Sequence, residues 1–332
     1  MSVVAFWLLA LMLTIYVILD GYDLGVASIT PLVARDEEER AAAMQSIGPF
    51  WNGNEVWLIA TGAVLFALFP KAYASAFSGF YLPFMIVLWL LMIRGIALEL
   101  RSHFPSRMWH EFWDTCFCAA SVLLIVLFGV ALGNLLRGVP LDASGYFQGT
   151  FGLLLNPYAL SVAALALVTL AMHGAAFLVL RLDGPPAERA RVALPWLWRI
   201  SAVVYVLVTA FTLWTSRETQ PRPLVTALIA LAILALVAAR IGIARGAEWP
   251  AFLATSTFIA TLLVAAAAKS FPYLLPAYPV STAGLSIFSA APPPVSVATS
   301  LTVTIAGLVV VSIYSVLVWR RASGKIRVLR DR

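Results

Sequence analysis

Ionisable residues interrupt long apolar stretches in the first third of this sequence, and their types fit proton transfer. Asp20 and Asp23 lie three residues apart, so a helix would place them on one face. Glu55 opens a second apolar stretch, and Arg94 and Glu99 close a third. Because an ionised side chain inside a bilayer costs several kcal/mol, such residues are candidates for function. The carboxylates could take up and release protons, with Arg94 as their counter-ion.

Each of these residues also has a purely structural interpretation. Asp23, two residues before Gly25, could shape the end of a kinked helix. Glu55 could lie at a helix N-terminus, where the helix dipole favours a carboxylate. Arg94 could pair with Asp20 or Asp23 only to assemble the bundle. Spacing and residue type leave both interpretations open.

The composition places these residues in a membrane protein. Of 332 residues, 62% are hydrophobic and 11% are charged, against roughly a quarter charged in soluble domains. The mean hydropathy is +0.93, which excludes a soluble globular protein. A net charge of +6 would suggest nucleic acid as a partner of a soluble protein. In a membrane protein the cations are expected in loops facing an anionic leaflet, so we expect no nucleic-acid partner.

Apolar segments long enough for membrane helices recur along the whole chain. The sequence predicts nine of them, which lie at about 4–30, 53–70, 76–101, 114–136, 157–181, 195–215, 223–244, 250–271 and 298–319. The second segment is near the lower length limit for a membrane span.

The basic residues fix the predicted orientation. With nine spans and an outside N-terminus, sixteen of the 22 basic residues fall on the inner side. One more, Arg94, lies inside a span. The five basic residues expected on the outer side are Lys71, Arg137, Arg217, Arg222 and Lys269. This asymmetry follows the positive-inside rule and predicts a cytoplasmic C-terminus. The two longest loops, 137–156 and 272–297, are then both outside.

The sequence offers little for nucleotide or metal chemistry. It has no GxxxxGK phosphate-binding loop, so an ATP-driven pump in one chain is excluded. Its histidines are His103, His110 and His173, too few and too scattered for a bis-histidine haem or a zinc site. We expect no metal in this chain, and any redox metal in a partner.

Six segments of the sequence together match the pattern of a known protein family. They are LDGYDLG at 19–25, IGPFWNGNEVWLIATGAVLFALFP at 47–70, FSGFYLPF at 77–84, RGIALELR at 94–101, GNLLRGVP at 133–140 and LLNP at 154–157. In these segments the sequence closely resembles subunit II of cytochrome bd-type quinol oxidases. The detailed resemblance covers roughly the first 160 residues. Beyond them it depends on the number of spans and the placement of loops.

The resemblance implies an all-α integral membrane protein with about nine transmembrane helices. The whole chain, 1–332, would form a single polytopic domain. Its parts would be a first four-helix bundle at 1–136, a second four-helix bundle at 157–271, a peripheral helix at 298–319 and a basic cytoplasmic tail at 320–332. The expected location is a bacterial or archaeal plasma membrane.

The resemblance also implies a division of labour between two subunits. A similarly folded subunit I would carry haems b and d and the quinol site, and this chain would have no catalytic centre. The complex would oxidise quinol at the outer face and reduce O2 to water with protons from the cytoplasm. A structural quinone or a lipid between helices, and a small single-helix subunit, are further partners that the family leaves open.

The family pattern also suggests residues of a proton path. In the family, a carboxylate follows the tryptophan that opens the second span, but here Asn52 takes that position. Asparagine cannot relay a proton by ionising, so the role would pass to Glu55, three residues on. The complete set of candidate pathway residues is Asp20, Asp23, Asn52, Glu55, Trp57, Arg94 and Glu99.

A proton-coupled secondary transporter is the alternative interpretation. Its acidic membrane residues would bind substrate and protons, and discontinuous helices in two symmetric halves would favour it. The membrane acids here lie in the first half of the sequence, and the later spans are nearly uncharged. The sequence therefore favours the oxidase subunit.

Overall fold

The computed structural model describes residues 1–215, 222–278, 284–322 and 324–327. Arg217 and the last five residues of the predicted tail lie outside these ranges. The described helices are α1 Ser2–Val33, α2 Glu37–Ile47, α3 Trp51–Leu68, α4 Pro70–Gly79, α5 Tyr81–Leu100, α6 Arg107–Arg137, α7 Phe151–Leu154, α8 Pro157–Arg181, α9 Pro185–Thr215, α10 Pro223–Ala244, α11 Glu248–Ser270 and α12 Pro294–Arg321. The described strands are β1 Leu182–Asp183, β2 Tyr273–Leu275, β3 Leu285–Ser286 and β4 Ile326–Arg327.

The predicted all-α membrane fold is confirmed. Eight helices of the described residues are long and apolar enough to span a bilayer. α8 and α10 have the predicted bounds. The second predicted span is the 18-residue helix α3, which is not among the eight. Its first turn contains Asn52, Asn54 and Glu55, and these polar residues lower its hydropathy.

The prediction of one continuous helix over 76–101 was wrong. The segment 76–101 is divided between α4 and α5, with the break at Phe80. Pro83 accounts for the break, because it has no backbone N–H to donate to the carbonyl of Gly79 in a continuous helix. At the third position of a new helix, Pro83 loses no intrahelical hydrogen bond. α9, in contrast, begins ten residues before its predicted start and includes Pro195.

The centre of the molecule is the contact between α1 and α8. A Cβ atom on Gly25 would lie 2.0 Å from the backbone oxygen of Leu170 and 2.8 Å from the nitrogen of Gly174. Only glycine fits such a close approach of two helix backbones. α6 approaches α8 in the same way, with Gly129 against Ala163. Helix α8, from the predicted second bundle, therefore packs directly on α1 and α6 of the predicted first bundle.

The two longest predicted loops pair with each other at one end of the bundle. The backbone N–H of Val139 donates to Pro276 O, and the N–H of Tyr278 donates back to Val139 O, each at 2.9 Å. Arg137 lies 4.5 Å from the centre of the Tyr278 ring. β2 and β3 form a short antiparallel pair in the second loop. The described parts of both loops thus form one cap.

The opposite end of the bundle carries a layer of ion pairs, which we call the ionic end. Asp114 at the start of α6 contacts Arg40 of α2 at 3.0 Å and Arg101 at 2.5 Å. Glu39 of α2, which is 1% exposed, pairs with Arg189 of α9. These contacts fix α2, a short helix outside the apolar spans, against the ends of α5, α6 and α9.

Candidate functional site

The candidate site lies where α1, α3 and α5 meet near the ionic end. Gly21 and Gly25, one turn apart on α1, face α8 at Leu170. Asp20 and Asp23 lie on another part of the α1 surface and meet α3 and α5 instead. The glycines that bring α1 close to α8 therefore also determine which way the two acids point.

Asp20 forms a buried, bidentate ion pair with Arg94 of α5. Arg94 Nη1 donates to Asp20 Oδ2 at 2.8 Å, and Arg94 Nη2 donates to Asp20 Oδ1. The side chain of Arg94 is 1% exposed and that of Asp20 is 0% exposed. Two parallel N–H···O bonds give the geometry that a desolvated pair needs to offset the loss of hydration. The pair itself is electrically neutral.

Asp23 shares the same arginine but is less completely satisfied. Its Oδ2 atom accepts a hydrogen bond from Asn54 Nδ2 at 2.8 Å and lies 4.0 Å from Arg94 Nη2. Its Oδ1 atom is buried and has no hydrogen-bond partner among the residues that the structure describes. One arginine thus faces two buried carboxyl groups, and Arg94 is already paired with Asp20. The negative charge of Asp23 is therefore less completely compensated than that of Asp20.

Two further predicted residues of α3 border this cluster. Glu55 is half-buried and interacts electrostatically with Arg94 and Asp20. Trp57 is 2% exposed, and within the described part of the chain its indole N–H has no hydrogen-bond partner. Four of the seven predicted residues therefore lie at one site, namely Asp20, Asp23, Glu55 and Arg94, and Trp57 lies on the same buried face of α3 as Asn54.

The other two predicted residues lie outside the cluster. Glu99 is exposed in the last turn of α5, and its backbone oxygen lies 3.1 Å from a ring nitrogen of His103. Asn52 is exposed on α3. The structure does not bring either side chain to Asp23.

Asn54 is the site residue that the sequence analysis missed. It is 5% exposed, and its Nδ2 atom contacts both Asp23 and the Tyr22 hydroxyl at 2.8 Å. The signal was present in the spacing. The buried positions of α3 recur with helical periodicity at 54, 57, 61, 64 and 68, so Asn54 lies on the same face as Trp57. The family pattern directed attention to Asn52 instead.

Sequence comparison identifies the family. The profile of the family described as cytochrome bd terminal oxidase subunit II matches residues 1–322. This chain belongs to that family. The assignment favours the oxidase subunit over the secondary transporter that the sequence analysis kept as its alternative.

Two curated members of the subunit II family illustrate the match. Cytochrome bd-I ubiquinol oxidase subunit 2 of Escherichia coli strain K12 is 30% identical over 323 residues, covering 86% of this chain and 84% of that protein. The probable cytochrome oxidase subunit 2 of Haemophilus influenzae is 37% identical over 190 residues. That second match covers 56% of this chain and spans about half, 50%, of the relative's length.

A solved structure supports the fold of this subunit II. One chain of the bd oxidase from Geobacillus thermodenitrificans superposes with a TM-score of 0.80 and 21% sequence identity. The match covers 96% of this chain and 97% of that chain. At this identity the comparison establishes the fold alone.

The residues of this subunit II do not fit a haem or metal site. Within the described ranges, no three His, Cys, Asp or Glu residues are grouped as metal ligands. His173 is buried, with Nδ1 2.8 Å from Thr255 Oγ1 and Nε2 3.1 Å from Ile18 O. Both ring nitrogens already have partners, so neither is available to coordinate iron.

A large apolar cavity is a second feature of this subunit II. It has a volume of about 580 Å³ and lies among α1, α6 and the later helices α8 to α11. Tyr16 and Thr169 line it, and the Thr169 hydroxyl is buried without a hydrogen-bond partner among the described residues, whereas the Tyr16 side chain interacts with Asp20. Arg222 and Lys269 lie at its edge. The chemistry is that of a site for a long apolar molecule with a few polar atoms.

Proposed function

We propose that this chain is the haem-free subunit II of a terminal quinol oxidase and that it conducts protons from the cytoplasm to a haem-bearing subunit I. Quinol is the electron donor, and the protons are consumed when O2 is reduced to water. Family membership supports the oxidase assignment. The observation that carries the proton role is Asp23, a buried carboxyl group with one unpartnered oxygen beside a neutral ion pair.

The proposed roles within the site follow from the contacts. Asp23 accepts and releases the proton, because its charge is less well compensated than that of Asp20. The Arg94–Asp20 pair holds α1 against α5, and because Asp20 already neutralises Arg94, the charge of Asp23 stays poorly compensated. Glu55, half-buried beside the pair, takes the relay position that Asn52 cannot fill, and Trp57 borders the path. Exposed Glu99 is a collecting acid at the end of α5.

The proposed partner carries the electron-transfer chemistry. Haems b and d and the quinol site lie in subunit I, as membership of the subunit II family implies. The role of this chain is to support that subunit and to deliver protons to it. A lipid or a structural quinone occupies the cavity, where the Thr169 hydroxyl would bind one of its polar atoms.

We further propose the orientation with the N-terminus outside and the C-terminus in the cytoplasm of a bacterial or archaeal cell. In this arrangement α3 also crosses the membrane, so that α3 and the eight apolar helices of the described residues make nine spans. The support is the ionic end, whose helix termini carry most of the basic residues that the positive-inside rule places in the cytoplasm. The proton site then lies on the cytoplasmic side, where the consumed protons originate.

The experiment that tests this function is Asp23→Asn in the assembled oxidase. We expect a lower rate of quinol-dependent oxygen consumption with unchanged haem content, because the amide cannot carry a proton. Asp142→Asn, the same chemical change in the 137–156 loop, is the matched control and should keep the wild-type rate. Reduced haem content with a normal rate per haem would assign Asp23 a structural role and contradict the proposal.

A further inference from the structure

A small cavity separates α3 from the C-terminal part of α12, close to the proposed proton site. It has a volume of about 10 Å³, which is the room that a single water molecule needs. Gly53 and Asn54 of α3 line one side, and Tyr314, Ser315 and Trp319 of α12 line the other. We infer that water enters here and connects Asp23 to the ionic end. This inference rests on the proposed proton role of Asp23.

The polar groups around the cavity suit a bound water molecule. The Ser315 hydroxyl donates to Val311 O at 3.0 Å and keeps its lone pairs free to accept a hydrogen bond. The Tyr314 hydroxyl lies 3.5 Å from the position of a Cβ atom on Gly53, and the Asn54 amide supplies further polar atoms. A buried water needs two to four such partners, so these groups are sufficient.

Asn54 connects this cavity to the acid. Asn54 lines the cavity, and its Nδ2 atom donates to Asp23 Oδ2 and to the Tyr22 hydroxyl, each at 2.8 Å. A water molecule beside Asn54 is therefore one side chain away from the carboxyl group. Asn52, two residues earlier, is exposed and contributes nothing to this lining. The proposed water entrance therefore does not include Asn52, the position at which the family has a carboxylate.

Gly53 allows α12 to form the wall of the entrance. A Cβ atom at this position would lie 2.8 Å from Cε1 of the Tyr314 ring. Without that atom, the ring rests against the α3 backbone and leaves a narrow gap.

The C-terminal end of α12 is held in place by two sets of contacts. The Trp319 ring lies 4.9 Å from that of Phe50 and 5.9 Å from that of Tyr22. Beyond the helix, Lys325 donates to Glu248 Oε1 at 2.8 Å, and β4 pairs with β1 through Ile326 and Leu182. The N-terminal half of α12 packs on the core through Val297, which is 3% exposed, and Leu301, which is 9% exposed. α12 is therefore held at both ends, which keeps its side of the cavity in place.

The test fills the cavity from the α12 side. Ser315→Leu adds side-chain volume and removes the hydroxyl, whereas Val316→Leu adds a methylene to the next residue, which is 51% exposed. Both variants are measured in the assembled oxidase for haem content, oxygen consumption and the solvent isotope effect in D2O. The smaller Ser315→Val change is measured in parallel, so the test stands if the leucine variant fails to assemble.

The expected result is slower oxygen consumption in the Ser315 variants. With leucine the loss is about tenfold, corresponding to a barrier raised by about 1.4 kcal/mol, and the solvent isotope effect rises because proton delivery becomes limiting. Val316→Leu keeps the wild-type values. Wild-type turnover in both Ser315 variants, while Asp23→Asn is slow, would overturn the entrance and leave the proton role intact. Wild-type turnover in Asp23→Asn as well would overturn both.

Discussion

Arg94 Nη1 and Asp20 Oδ2 lie 2.8 Å apart in a bidentate ion pair whose side chains are at most 1% exposed. Asp23 Oδ2 lies 4.0 Å from the same guanidinium group. Because Arg94 is already neutralised by Asp20, the pair stabilises the helix arrangement, whereas Asp23 is the carboxyl group that we propose exchanges a proton. The structural and functional interpretations of this cluster therefore apply to different residues.

Removal of Arg94 should destabilise the assembled subunit. Arg94→Gln leaves the Asp20 carboxylate buried without its partner, and breaking such a pair costs about 3–5 kcal/mol. We expect a large drop in the amount of purified complex and in its thermal stability. The double variant Asp20→Asn, Arg94→Gln removes both charges and should recover much of that loss. If the single and double variants were equally unstable, the ion pair would not be the cause.

The contact between α1 and α8 should tolerate no side chain at Gly25. A Cβ atom there meets the Leu170 backbone oxygen at 2.0 Å, and backbone cannot yield as a flexible side chain can. Gly25→Ala should therefore cost about 1–3 kcal/mol or more by overpacking and displace Asp23 with it. Gly307→Ala is the matched control, because a Cβ atom on Gly307 meets nothing within 4 Å. Thermal unfolding of the two complexes distinguishes them, and equal stability would contradict the close packing.

Glu55 should carry the relay function that Asn52 lacks. Glu55→Gln removes the ionisable group beside Arg94 and should slow oxygen consumption at constant haem content. Asn52→Asp in that background restores a carboxyl group at the family position and should recover part of the rate. The control is Asn52→Asp alone, which should change little. A rate unaffected by Glu55→Gln would leave Glu55 with an electrostatic role only.

The Asp142 turn in the 137–156 loop should weaken only in strong acid. Asp142 accepts backbone hydrogen bonds from Tyr146 at 2.9 Å and Ser144 at 2.8 Å, and the Gln148 side chain adds a third at 3.0 Å. The backbone bond from Tyr146, followed by the others, holds the pKa of Asp142 below its usual value. The stabilisation is therefore fully present above the unfolded pKa of about 3.9. It is lost as the pH falls through the lower folded pKa.

Limited proteolysis checks this behaviour of the loop. Cleavage of wild-type 141–148 should stay slow at neutral pH and increase only in strong acid, where pepsin can be used. Asp142→Asn should be cleaved faster at neutral pH by proteinase K, with oxygen consumption unchanged. Equal cleavage of the two proteins at neutral pH would show that the carboxylate does not order the turn.

The helices can be predicted from the sequence more accurately than the arrangement of the candidate site. α8 and α10 have their predicted bounds because each apolar run begins at a proline, Pro157 or Pro223, where a helix can start. The break at Phe80 was missed because Pro83 lies inside an apolar run whose composition alone predicts a continuous span. Asp20, Asp23 and Arg94 could be predicted as site residues because charged side chains are rare within apolar membrane segments.

The arrangement of the site could not be read from the sequence in full. Three spans supply its residues, and only their packing decides that Arg94 pairs with Asp20 rather than Asp23. Asn54 was missed because an uncharged amide carries no membrane penalty large enough to mark it. Glu99 lies in the final turn of α5, where a small change in helix position decides between burial and exposure.

The central claim is most directly tested by following proton uptake while the fully reduced oxidase reacts with O2. A pH-indicator dye on the cytoplasmic side reports uptake, and haem absorbance reports electron transfer, in wild-type and Asp23→Asn complexes of equal haem content. We predict that O2 binding to the haem proceeds normally while uptake slows by about tenfold, a barrier increase of about 1.4 kcal/mol. Proton uptake at the wild-type rate in Asp23→Asn would contradict the account.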